Sequence, residues 1–154
     1  MKKMNQRIIQ LILLFWSVWF SIIVTTNFFD YLKSVNYLSK EWKFASGNFK
    51  AMLETTDIYN TPRTFIIILY FGVILWQITC SFFFWRAFVQ TFSKNIMTPT
   101  LYLAFSLGLA LFASFAITTE IFIDYSTEET FLRIFIALLL SLSTCHLLSN
   151  ERAK

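Results

Sequence analysis

The sequence predicts an all-α membrane protein: a bundle of four transmembrane helices, with a long structured loop between helices one and two. Three observations predict it. Charged residues make up only 14% of the chain and hydrophobic residues 56%, where average soluble domains carry about 25% and about 45–50%. Four stretches approach or reach the roughly 20 apolar residues that a spanning helix needs: Ile8–Thr26, Phe65–Phe84, Leu101–Thr119 and Thr130–Leu148. Gly (3) and Pro (2) are scarce, which excludes a loop-rich β protein and a disordered chain. The same composition excludes an ordinary soluble enzyme, a collagen-like chain and a disulfide scaffold. A single membrane domain over residues 1–154 remains.

The first three spans carry no charge, and the fourth carries only Arg133. Lipid offers no partner to bare backbone, so spanning elements are helices or closed barrels. Barrel strands alternate in hydropathy, and runs such as Phe65-Ile66-Ile67-Ile68-Leu69 do not. Lys2, Lys3 and Arg7 precede the first apolar run, as in a secretory signal. The run is long, however, and Ser21–Asp30 holds no small-x-small cleavage site. An uncleaved first helix is expected.

Charge then predicts orientation. Eight of the nine acids fall on the ends formed by Asn27–Thr64 and Glu120–Arg133. The opposite ends carry Lys2, Lys3, Arg7, Arg86, Lys94, Arg152 and Lys154 on short segments. By the positive-inside rule both termini and the 85–98 loop are cytoplasmic. Trp85 and Tyr102 near one edge, and Phe28, Phe29, Tyr31 and Tyr125 near the other, fit two aromatic belts. Residue usage rich in Phe, Ile, Lys and Asn suggests an AT-rich bacterial genome, and so a bacterial inner membrane. The pI near 9.2 reflects cytoplasmic Lys and Arg meeting anionic lipid, not nucleic acid.

The connection Asn27–Thr64 is long for a compact domain and is expected to hold structure. From Ser39, apolar residues recur near helical spacing at Trp42, Ala45, Phe49, Met52 and Leu53. Ser39 suits an N-cap, and Glu41 the first turn. Lys40, Lys43, Lys50 and Glu54 lie on the other face, and Gly47-Asn48 weakens the pattern. Such a helix lies in the membrane interface. It either caps the bundle or presents Trp42, Phe49 and Met52 to a partner subunit. Thr61-Pro62 opens the second span, since Pro suits a helix start.

Small residues let helices approach in lipid. Ser17, Ser21 and Thr25 recur every four residues in the first span; Ser106, Ala110 and Ser114 in the third, with Gly108 nearby; Ala137, Ser141 and Cys145 in the fourth. Helices one, three and four are therefore expected to pack closely, with helix two facing lipid. The same stripes suit contact with a partner.

Few polar groups enter the spans. Asp30 closes the first, and Gln77 sits in the middle of the second, suited to an interhelical hydrogen bond. Glu120 and Arg133 flank a short hairpin and are expected to pair, as a structural clamp or as a polar entry for a ligand or proton. Cys80, Cys145 and His146 all fall toward the cytoplasmic side. They are too few for a structural zinc site or a two-His haem, so no metal or cofactor is expected, with His146 as the one weak ligand candidate. No phosphate loop, nucleophile elbow or HExxH is present, and no catalytic residue is assigned.

Several short motifs carry a resemblance. Asn27-Phe28-Phe29-Asp30-Tyr31 follows the first span, Ser46-Gly47-Asn48 lies in the loop, and Thr61-Pro62 precedes the second span, which holds Trp76-Gln77. Glu120 stands with Phe122, and Phe131-x-Arg133-Ile134-Phe135 opens the fourth. In these the chain resembles an uncharacterised family of predicted small integral membrane proteins with four helices (domain of unknown function 2165). That family often has Trp-Glu in helix two, a Gly-Glu-Trp-Phe run and a Phe-Arg-x-Phe start to helix four. Its loop tends to carry His-Val and Met-Asp, where Tyr37-Leu38-Ser39-Lys40-Glu41 and Phe44-Ala45 stand here. Gln77 replaces a carboxylate. The resemblance implies four helices, a long first loop and short termini, but no reaction, and the lost carboxylate points to a structural role.

The expected function is a non-catalytic accessory subunit of a larger respiratory or transport complex, in contact with lipid and with unlike membrane subunits. A small homo-oligomeric transporter or channel, and a haem-anchoring redox subunit using His146, are the alternatives.

Overall fold

The computed structural model describes residues 2–92 and 98–153, without the side chains of Lys2 and of residues 151–153. Lys94 and Lys154, and the side chains of Lys2 and Arg152, counted above as cytoplasmic cations, lie outside that description. The described chain is all helical, and four helices are long and apolar enough to cross a membrane. They are α1 (Lys2–Ser34), α3 (Arg63–Gln90), α4 (Pro99–Ile121) and α5 (Tyr125–Ala153), with a short α2 (Asn48–Thr56) between the first two.

The long structured loop expected over Asn27–Thr64 is not found: helices take both of its ends and much of its second half. α1 runs 33 residues, about 50 Å of rise, and takes in Asn27–Ser34. It continues past Thr26 because Asn27, Asp30 and Ser34, spaced on one face, are all buried and partnered. It stops at Asn36, whose left-handed φ of 62° lets Asn36 N donate to Lys33 O and Tyr37 N to Leu32 O, a Schellman ending. Arg63 and Thr64 already belong to α3. Nor does a helix start at Ser39. Residues 39–47 form turns, on which Trp42 and Phe44 pack against Phe29 at 5.5 and 6.0 Å. The helix starts at Asn48, behind Gly47 at φ 78°. α2 and a 3₁₀ turn (Asp57–Tyr59) then fill most of the stretch from Asn48 to the start of α3. Pro62 caps α3 at its N-terminus.

The four long helices form a ring in the order α1–α3–α4–α5, each antiparallel to its neighbours. The broadest seam joins α1 to α3. This corrects the expectation that helix two faces lipid. Its buried stripe of Ile66, Tyr70, Ile74, Gln77, Cys80 and Phe84 meets α1 and α4. α5 is the least buried: 11% of its most apolar window, against 28% for α3.

Rings rather than small residues fill the inner core. Phe20 stacks on Phe84 at 5.3 Å, and Phe84 meets Phe105 edge-on at 5.0 Å. Ser17 and Ser21 do lie on the α1–α3 seam, where Ser21 Oγ bonds Ser81 Oγ at 3.0 Å. The stripe on α4 is different. Ser106 and Ala110 are exposed and Ser114 is half-buried, while Gly108 makes the contact. A Cβ on Gly108 would lie 3.3 Å from Leu138 Cδ1 and 3.5 Å from Phe20 Cζ. On α5, Ala137 is exposed, and Ser141 accepts from Trp16 Nε1 at 3.0 Å.

The α4–α5 turn ends in a second Schellman pattern, with Ile123 N donating to Glu120 O and Asp124 N to Thr119 O. Its left-handed residue is Ile123, at φ 58°, a conformation that strains a β-branched side chain. The side chain is 61% exposed, so it recovers little by packing. Ile123→Gly is expected to raise stability by about 1 kcal/mol, read as a higher unfolding midpoint in detergent. An unchanged or lower midpoint would show that the turn is not strained.

Candidate functional site

Most of the buried polar side chains, Asn27, Asp30, Ser34, Thr56, Gln77 and Thr119 among them, lie toward the end of the bundle where α1 and α4 finish (termed the outer end, the opposite one being the inner), near α2. Asp30 is their hub. It is 7% exposed, on the last turns of α1. Its Oδ2 accepts from Phe49 N at 2.7 Å, Tyr70 Oη at 3.1 Å and Ser46 Oγ at 3.2 Å. These donors come from α2, α3 and the turn before α2. Phe49 N is one of the orphan donors at the start of a helix; the N-cap residue of α2, Gly47, has no side chain to meet it, and the adjacent Ser46 Oγ accepts from Asn48 N at 3.2 Å. Asp30 supplies that cap from α1, with its charge favourably placed at a helix N-terminus.

One turn earlier on α1, Asn27 links to both neighbours. Asn48 Nδ2 donates to Asn27 Oδ1 at 2.8 Å, and Asn27 Nδ2 to Gln77 Oε1 at 2.8 Å. Gln77 thus makes the expected interhelical bond. Phe49 packs on Tyr70 at 5.6 Å, and Arg63 lies 5.6 Å over the Phe49 ring while donating to Ser34 O. Of the loop residues singled out by sequence, Phe49 is buried, Met52 half-buried and Trp42 exposed.

The far end of α2 is tied to the opposite side of the ring. Thr55 Oγ1 donates to Asp124 Oδ2 at 2.7 Å, and Tyr59 Oη to Ile121 O at 3.0 Å. Asp124 also caps α5 through Thr127 N at 3.2 Å. The Thr127 hydroxyl first, and then Thr55, hold the Asp124 carboxyl below its ordinary range. Between these anchors α2 roofs a cavity of about 180 Å³. Met52, Val73, Gln77, Thr119, Phe115 and Phe131 are among its walls, and no charged side chain lines it.

Glu120 and Arg133 do not meet. Arg133 Nη2 bonds Glu129 Oε1 at 2.6 Å, both side chains being largely exposed. Arg133 sits two turns into α5, about 12 Å of rise past its start, too deep for Glu120 at the rim. Glu120 lies against Glu128 instead. At the inner end, His146 uses both ring nitrogens: Nδ1 with Tyr102 Oη and Nε2 with Asn150 Nδ2, each at 3.0 Å. Cys80 and Cys145 are free thiols buried in the inner core. Among the described residues, no three His, Cys, Asp or Glu gather as metal ligands.

Sequence reasoning singled out Asp30 and Gln77 as polar groups, met Asn27, Ser46 and Asn48 only as parts of the motifs that carry the resemblance, and missed Tyr70. The signal available was the spacing of Asn27, Asp30 and Ser34, three polar residues on one helical face. No protein-family model, curated protein or solved structure matches the chain, so the family resemblance rests on its short motifs.

Asp30→Ala is expected to cost about 2–3 kcal/mol and to free α2. Trypsin cleavage after Lys50 then accelerates, and an unchanged rate would mean that Asp30 does not hold α2. The Asp124 tie adds a pH dependence. A carboxyl with a lowered folded pKa stabilises above its unfolded value, near 3.9, and loses that contribution as pH falls through the folded one. Hydrogen exchange in α2 is therefore expected to rise on acidification below the ordinary Asp range, less steeply in Thr55→Val. Identical profiles in the two proteins would sink this assignment.

Proposed function

We propose that the chain is a non-catalytic integral membrane protein that serves as an accessory subunit of a larger complex, of respiratory or transport type. We place it in a bacterial inner membrane with both termini cytoplasmic, on the charge distribution given above, and within the four-helix family that its motifs resemble. The observation that carries the reading is the outward face of α4. Ser106 and Ala110 form a four-spaced small-residue pair that the bundle itself leaves exposed. Small residues at this spacing let another helix approach closely in lipid. Ala137 on the neighbouring α5 is exposed as well, and α5 keeps most of its surface outside the bundle.

The alternatives draw less from the geometry. A conduit along the bundle axis meets the Phe20–Phe84–Phe105 stack, so a transporter built from this chain needs its pathway between copies. A haem-anchoring role for His146 requires it to give up one of its two ring hydrogen bonds.

Gentle solubilisation and native mass spectrometry test the assignment. Co-migration with larger unlike subunits is expected. Ala110→Trp is expected to release the chain from them while changing its unfolding midpoint by less than about 0.5 kcal/mol in free energy, as exposed substitutions do. A pure homo-oligomer would overturn the subunit reading in favour of the transporter.

A further inference from the structure

We propose that the cavity beneath α2 is a binding site for a neutral, apolar group bearing a carbonyl oxygen, which the Gln77 amide recognises. Gln77 is 4% exposed and lines the cavity. The three amides run as a chain from Asn48 to Asn27 to Gln77, ending at Gln77 Oε1. That direction leaves the Gln77 –NH2 as the free end, and among the described residues nothing accepts from it. That –NH2 is not among the fully buried side-chain atoms left without a partner, so it keeps accessible surface, and the cavity that Gln77 lines is where an acceptor fits.

The other polar walls narrow the choice. Thr56, Thr118 and Thr119 already donate their hydroxyl protons to backbone carbonyls, and Thr55 to Asp124. Asn27 and Asn48 each spend an amide N–H within the chain of amides, Tyr70 donates to Asp30 and the Thr127 hydroxyl bonds Asp124, so the Gln77 –NH2 is the amide donor group left wholly unused. With no charged wall, the site suits a neutral molecule. The apolar part of the lining includes Met52, Leu69, Val73, Phe115 and Phe131. The volume of about 180 Å³ compares with about 150 Å³ for an apolar cavity that takes benzene, so it admits one ring or a short acyl segment. Two sources share this chemistry: a free lipophilic ketone or quinone ring, and the ester end of a membrane lipid.

The test uses the full chain in lipid nanodiscs and a matched pair of probes. Acetophenone carries the carbonyl, and α-methylstyrene has the same shape without it. Saturation-transfer NMR, corrected for partitioning into empty discs, is expected to give acetophenone about fivefold tighter binding, the worth of one hydrogen bond. Gln77→Leu is expected to remove that preference and keep the hydrocarbon bound. Because Gln77 also holds Asn27, Val73→Phe serves as a second variant. It fills the cavity, leaves the amides in place, and is expected to abolish binding of both probes with the fold retained. Weaker acetophenone binding in ester-lipid than in ether-lipid discs assigns the lipid ester as occupant. Equal binding assigns a free molecule. Equal affinity for the two probes in the unmodified protein, or acetophenone binding that survives Val73→Phe, would overturn the proposal.

Discussion

A carboxylate removed from water must be surrounded by donors, and the outer half of this protein is arranged around that requirement. Asp30 lies at the end of a helix whose own N–H groups point the other way, so its donors come from other segments. The turn before α2 brings Ser46, α2 brings the N–H of Phe49, and α3 brings Tyr70. Each donor fixes a piece of the fold. For Phe49 N to point at Asp30, α2 must begin just before it, and the left-handed Gly47 makes that start possible. For Tyr70 to reach, α3 must turn its buried stripe to α1. The exchange is reciprocal: a helix of 9 residues is too short to be stable alone, and the carboxylate caps it.

This constraint explains which parts of the fold were legible in the sequence. Span number and position follow from composition, because nothing else tolerates such apolar runs. Faces do not. In α3 nearly every position is apolar, so hydropathy has no period, and only Tyr70 and Gln77 mark the buried side. The end of α1 was misplaced for the same reason: Asn27 and Asp30 read as solvent-facing until their partners are known, and those lie as much as 50 residues away. The loop failed differently. Trp42 and Ala45 have helical spacing by chance, and their segment packs on Phe29 through rings rather than as a helix. The small-residue rule held at Ser21, whose side chain meets Ser81 across a seam. It failed at Ser106 and Ala110 because Gly108 and the phenyl rings occupy the interior there.

The bundle therefore has two unlike halves. Its inner half is filled by rings that touch across the axis. Its outer half is spanned by α2, which hydrogen bonds hold at both ends, to Asp30 on one side and to Asp124 on the other. A helix fixed at both rims bridges the mouth of the ring and does not sink into it. Closing the space below would require breaking one tie, at a cost of the order of 1–3 kcal/mol for a buried group losing its partner. The anchors that order the cap are thus also what keeps the cavity open.

The distribution of charge has the same origin. Asp30 and Asp124 are spent on holding α2, Arg63 on Ser34 and the Phe49 ring, and Arg133 on Glu129. None of these lines the cavity. What faces inward is an amide chain whose last member, Gln77, is uncharged and reaches the apolar space. A carboxylate at that position would take a hydrogen bond from Asn27 equally well, but it would also place a charge against Phe115 and Phe131. An amide meets the same structural demand while keeping the space neutral, and it converts the end of a structural network into a donor. At Gln77, then, the group that joins α1 to α3 by a hydrogen bond also forms part of the cavity wall.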